Sequence, residues 1–170
     1  MKVATIREPE TFFEAAKDPQ WIKTMNEEIQ ALCKNETWDL VPHSPHKKVI
    51  GCRWLYKVKY NVDGSVNCFK ARLVAKGYAQ THRVDYDEIF APVAKMTTVR
   101  TIVTLVGTKG WHLYQMDVKN AFLQGELDEE AFMIQPLGFK STKHLTAVYR
   151  LEKLLYGLKK APRAWHSKIT

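Results

Sequence analysis

Several things this chain lacks narrow what it can be. Its three cysteines, Cys33, Cys52 and Cys68, are odd in number and form no C-x-x-C pair. That spacing excludes a zinc knuckle and fits free thiols in a reducing compartment. No apolar run is long enough to span a membrane, and the first five residues, Met1 to Thr5, have no signal-peptide core. A glycine-rich phosphate loop, a G-x-S-x-G elbow, internal repeats and low-complexity tracts are all missing. Their absence argues against P-loop phosphate binding, an α/β-hydrolase nucleophile and a solenoid. No Ser/His/Asp arrangement has support, and the dipeptide Asp-Asp occurs nowhere.

Acidic residues are also scarce, and unevenly so. The chain carries 26 Lys and Arg against 18 Asp and Glu, a net charge of +8 over 170 residues. Residues 1–42 hold 5 basic and 8 acidic groups, whereas residues 43–83 hold 9 basic groups and one acid, Asp63. Residues 84–144 are mildly acidic, at 6 against 8, and residues 145–170 are basic again, at 6 against 1. An ordinary solvated surface intersperses its signs. Basic blocks with aromatics between them point to a polyanion partner, most simply nucleic acid. Hydrophobic content of 45% describes a folded chain that can bury a core as one or two domains.

In chain order, acids at Glu8 and Glu10 open a first helix reaching about Lys17. Asp18-Pro19 then gives an N-cap followed by proline at the first helical position. Trp21, Ile22, Met25, Ile29 and Leu32 recur at helical spacing, with Lys23, Asn26, Glu27, Glu28 and Gln30 outside and Asn35 at the end. A short strand spans 37–41, and two long strands, 49–60 and 66–78, flank the hairpin signal Asp63-Gly64. Lys70, Arg72, Val74 and Lys76 fall on one face of the second strand, and Lys57 and Lys59 share a face of the first. Such a hairpin can grip phosphates, or it can be an exposed hairpin guarded by lysines. His43 and His46, and the loop pair Asp85 and Asp87, read as loop residues rather than metal ligands.

A helix over 96–110 places Val99, Ile102, Val103 and Val106 inward, capped by Thr97 or Thr98 and ended by Gly107 and Gly110. Strands follow at 132–135 and 148–151, and Ala161-Pro162 starts a last helix. Between the 96–110 helix and the first of these strands lies Trp111 to Leu123, W-H-L-Y-Q-M-D-V-K-N-A-F-L, which reads as a buried strand delivering Asp117 to a turn with Phe122. A carboxylate at the end of an apolar strand is costly unless a metal ion or a hydrogen-bonded turn takes it up.

Six stretches in one order resemble the reverse transcriptase of copia-type retrotransposons. They are WIKTMNEEIQALCKNETWDLVP, IGCRWLYKVKYNVDGSV, KARLVAKGYAQ, VDYDEIFAPVAKMTTVR, QMDVKNAFLQGELDEE and LYGLKKAPRAW. The resemblance implies an α+β fold: part of a polymerase right hand, with helices and basic fingers strands over 1–95. A partial, incompletely ferredoxin-like palm follows over 96–170. It implies two-metal nucleotidyl transfer in the intact family, using Mg²⁺ or Mn²⁺ in a complete site. Template-primer and a deoxynucleoside triphosphate would be the partners, with no membrane. Action would be cytoplasmic, in a virus-like particle, or nuclear. By resemblance Asp117 is catalytic and a metal ligand, and the Val118 carbonyl lies near the same metal. Phe122 is the sieve against a 2′-hydroxyl, and Lys70, Arg72 and Lys76 face the triphosphate. Tyr156 and Gly157 belong to the L-Y-G-L turn beside the templating base pair.

The departures are specific. Cys68-Phe69-Lys70-Ala71-Arg72 stands where the family usually reads Arg-Tyr-Lys-Ala-Arg. Arg83, Ile89 and Lys160 replace a usual Gly, Thr and Gln, and Leu137 replaces a proline. The other two metal-binding aspartates of the family lie in a Tyr-x-Asp-Asp hairpin that these 170 residues do not contain. The expectation is therefore a polymerase fragment inactive as an isolated chain. The alternatives are a non-catalytic nucleic-acid-binding module and a decayed transposon relic.

Overall fold

The computed structural model describes residues 6–80, 94–114, 116, 118, 121 and 125–169. It is a mixed α+β arrangement in which two sheets share one core. A short helix, α1 (Phe12–Ala15), is capped by Thr11, whose hydroxyl accepts the Glu14 amide at 3.2 Å. It is shorter than the expected helix, which opens at Glu8 to Glu10 and reaches about Lys17. Helix α2 (Pro19–Lys34) starts where Asp18-Pro19 predicts, with Asp18 accepting the Gln20 amide at 2.8 Å, and it ends at Asn35. Trp21, Met25 and Leu32 are buried, but Ile22 is 41% exposed and Glu28 is half-buried. The inward stripe is thus rotated toward Glu28, which stands three residues after Met25 and four before Leu32.

Strand β1 (Trp38–Val41) follows. Thr37 joins the two elements. Its hydroxyl donates to the Leu32 carbonyl at 2.8 Å, and its own carbonyl accepts the Glu152 amide at 2.9 Å. The long strand expected over 49–60 is two strands. β2 (Val49–Ile50) and β3 (Cys52–Tyr60) part at Gly51 and enter different sheets. β4 (Val66–Ala75) pairs antiparallel with β3 and gives way to a 3₁₀ turn, Gly77–Ala79. The hairpin bend is the one that Asp63-Gly64 predicts: Asp63 accepts the Ser65 amide at 2.8 Å, and Gly64 has φ +84°.

β5 (Glu126–Met133) and β6 (Val148–Lys153) complete a four-stranded sheet in the order β1-β6-β5-β2. β6 is antiparallel to both neighbours, and β2 is parallel to β5. This sheet takes strands from both sides of residue 95. The inner face of the hairpin, with Trp54, Tyr56, Val58, Ala71 and Leu73, packs on α2. Trp21 makes edge-to-face contacts with Tyr56 at 5.3 Å and Phe69 at 4.8 Å. Burying aromatics of this size contributes roughly 2–3 kcal/mol each.

Two expectations fail beyond this core. Helix α3 (Met96–Lys109) has no side-chain cap, starting from Lys95, and Gly107 lies inside it; Gly110, at φ +66°, ends it. Its apolar stripe is open rather than inward, with Val99 41%, Ile102 53% and Val103 47% exposed. The described part of 111–118 is not a strand, and Trp111, Leu113, Tyr114 and Met116 are 61–89% exposed. A strand needs a ladder partner, and among the described residues none pairs with this stretch. Helix α4 (Ala161–Ile169) begins at Ala161-Pro162 as expected. Among the described residues no helix is long and apolar enough to cross a membrane.

Candidate functional site

The outer face of the β3–β4 hairpin is a basic surface whose rows follow from the pleat. Side chains alternate, so with Trp54, Tyr56, Ala71 and Leu73 buried, Arg53, Lys57, Lys59, Lys70 and Arg72 must face out, and all five are exposed. Lys57 stands directly opposite Lys70, and Arg72 opposite Leu55. Like charges facing each other across a ladder repel. One relief is Glu8, whose carboxylate binds Lys57 Nζ at 2.8 Å and accepts the Val58 amide at 2.9 Å. These two bonds hold the Glu8 carboxyl below the usual carboxylate range. Cys68 is paired with Lys59, so the cation that the resemblance expects at 68 is missing from this face.

The basic strand is tied to the turn at 154–158. Leu154, Leu155 and Leu158 are all buried, which anchors that turn in the core. The Tyr156 carbonyl accepts the Ala75 amide at 2.8 Å, on the edge of β4 away from β3. Gly157 has φ +90°, and a Cβ there would lie 2.2 Å from the Ala75 carbonyl oxygen. Only glycine permits so close a crossing of two backbones. The Arg72 guanidinium then lies over the Tyr156 ring, 4.9 Å from its centroid. Beyond the turn, the Lys159 amide donates to Gln80 Oε1 and its Nζ to the Gln80 carbonyl, both at 3.1 Å.

Four of the predicted residues, Arg72, Lys76, Tyr156 and Gly157, therefore cluster where β4 ends, and Lys70 lies on the same outer face one step back. Lys76 sits just past the strand. Its amide donates to the Gly51 carbonyl at 2.8 Å and its stem covers Gly51, leaving it half-buried. Val118 is 47% exposed and outside any element. Asp117, Phe122, Asp85 and Asp87 lie outside the described residues. His43 and His46 are exposed, and among the described residues no three His, Cys, Asp or Glu gather as a metal site would require.

Two groups escape sequence reading. Gln80, buried, is the anchor for Lys159. Glu28 accepts the Leu73 amide at 3.3 Å on the same edge of β4 that meets Tyr156. Burial pushes the Glu28 carboxyl up, against the pull of Leu73, Arg72 and Lys70. Its helical spacing from Met25 and Leu32 was the available signal. Burial likewise pushes the Cys52 thiol up to about 11 and the Tyr56 hydroxyl up to about 12.

The family model for reverse transcriptase (RNA-dependent DNA polymerase) matches residues 35–170. The chain is 47% identical over 170 residues to the retrovirus-related Pol polyprotein from transposon RE1 of Arabidopsis thaliana, covering 99% of this chain and 12% of that protein. It is 47% identical over 168 residues to the corresponding RE2 polyprotein of the same plant, covering 98% and 12%. It is 45% identical over 166 residues to the Pol polyprotein from transposon TNT 1-94 of Nicotiana tabacum, covering 96% and 12%. The chain thus spans 12% of the length of these curated relatives. No solved structure matches it.

Proposed function

Since this chain belongs to the reverse transcriptase (RNA-dependent DNA polymerase) family, we propose that it is the nucleic-acid- and triphosphate-gripping part of such a polymerase. In this reading residues 1–95 form fingers and residues 96–170 part of a palm. Lys70, Arg72 and Lys76 face the phosphates, while Tyr156 and Gly157 carry the turn beside the templating base pair. Asp117 with the Val118 carbonyl would hold a divalent ion, and Phe122 would meet the incoming sugar. The observation that supports it most is the docking of the Tyr156–Gly157 turn on β4. That contact gathers Arg72, Lys76 and the turn at one place and leaves Lys70 and Arg72 exposed.

The residues present do not fit a two-metal centre. Asp117 is one carboxylate, the 170 residues contain no Asp-Asp, and among the described residues no three His, Cys, Asp or Glu gather. Two divalent ions held for in-line displacement need more than one carboxylate to hold them. The isolated chain therefore binds without joining nucleotides.

Both halves are testable on the purified 170-residue chain with a template-primer duplex. Binding should weaken with salt, and Lys70→Ala should reduce the slope of log K against log salt by about 1. Asp117→Asn should leave that binding unchanged. A salt-independent interaction would overturn the gripping role. Primer extension above background, abolished in Asp117→Asn, would overturn the inactivity.

A further inference from the structure

Tyr156 does something other than present a bare ring to a base. The ring face toward β4 is already covered by the Arg72 guanidinium, 4.9 Å from the centroid. That is well inside the range at which a cation is held by an aromatic face. The residue that carries the ring is anchored through its backbone. Its own backbone is bonded to Ala75, three residues beyond Arg72 on the same strand, and Leu155 and Leu158 beside it are buried. Arg72 by contrast is an exposed side chain on a two-stranded hairpin, opposite Leu55. Left alone it would sample many rotamers and lose that freedom on gripping an anion.

We propose that Tyr156 is a positioning residue: its ring holds the Arg72 guanidinium flat and outward, in place to bind phosphate. This rests on the phosphate-gripping reading given above and deepens it. The guanidinium offers five N–H donors in one plane, and stacking on a ring uses the face of that plane, leaving the donor edge for oxygen atoms. A lysine at 72 would keep the charge and lose this arrangement. The neighbouring acid, Glu28, accepts the Leu73 amide and attracts Arg72 through its charge without an ion-pair contact, so the donors of Arg72 stay open to a ligand.

Calorimetric titration of the 170-residue chain with inorganic tripolyphosphate tests this. Tyr156→Leu should weaken binding by about three- to fivefold, the scale of an exposed cation–π contact. Tyr156→Phe, which keeps the ring, should restore it, and Tyr156→Leu should cost nothing further in an Arg72→Lys background. Independently of any variant, the Arg72 Nε–H resonance of the wild type should show a ring-current shift. Wild-type affinity in Tyr156→Leu, or a random-coil Arg72 resonance, overturns the positioning role and leaves the phosphate reading standing. Failure of the wild type to bind tripolyphosphate overturns both.

Discussion

The Glu28 carboxylate accepts the Leu73 amide from the outer edge of β4, at 3.3 Å. Across the hairpin, Glu8 accepts the Val58 amide from the outer edge of β3, at 2.9 Å. A two-stranded ribbon has two edges of unpaired amides, each a template for unwanted pairing. Here each edge is met by a glutamate, and the Tyr156 carbonyl takes the next outward amide of β4, at Ala75. The same contacts that finish the hairpin also put an acid at each of its edges.

The two glutamates should leave opposite marks on stability against pH. Burial raises the Glu28 pKa, so its contribution is present at low pH and is lost as pH rises through the folded value. The Lys57 and Val58 bonds lower that of Glu8, so its contribution is present above the unfolded value and is lost as pH falls through the folded one. Urea midpoints from pH 3 to 8 should show Glu28→Gln gaining on wild type toward neutral pH. Glu8→Gln should lose about 1 kcal/mol or less at neutral pH and converge with wild type in acid. Convergence at the alkaline end instead would mean that Glu8 is not the acceptor.

Thiol chemistry gives a second check on the hairpin's packing. Cys52 is held up to about 11 by burial although the Lys76 charge pulls it down, whereas Cys33 is exposed. At pH 8 a thiol near 11 is about 0.1% thiolate, on the order of a hundredfold less than an ordinary one. Iodoacetamide should therefore modify Cys33 well before Cys52 in the native chain, and both alike in urea. Equal native rates would show that the strand at Cys52 opens readily.

Local chemistry made much of this fold legible. Asp18-Pro19, Asp63-Gly64 and Ala161-Pro162 each carry their own start or turn signal, and the structure uses all three. The basic row of β4 was readable because the pleat has period two. What could not be read were the partners. The break at Gly51 sits inside an unbroken β-rich run, and it exists because β2 joins β5 while β3 joins β4. The Arg72–Tyr156 and Ala75–Tyr156 contacts join distant parts of the chain, and no periodicity encodes them. The described residues of the 111–118 stretch fit a strand's alternation yet have no ladder partner among the described residues, and pattern alone does not supply one.

Gly157 and Gly110 separate two reasons for needing glycine. Both have positive φ, +90° and +66°, but a Cβ at Gly110 meets nothing within 4 Å. Gly110→Ala should therefore cost only the left-handed backbone term, about 1–2 kcal/mol. At Gly157 a Cβ falls 2.2 Å from the Ala75 carbonyl oxygen and 2.6 Å from Val74 Cγ1. The first of these is backbone and can yield only if the turn lifts off β4, which breaks the Ala75–Tyr156 bond and draws the ring from Arg72. Overpacking adds about 1–3 kcal/mol to the conformational term, so Gly157→Ala should lose about 2–5 kcal/mol in urea unfolding. It should also abolish the Arg72 ring-current shift, which Gly110→Ala should not touch. Equal losses in the two variants would mean that the close crossing of the turn over β4 does not hold the basic strand in place.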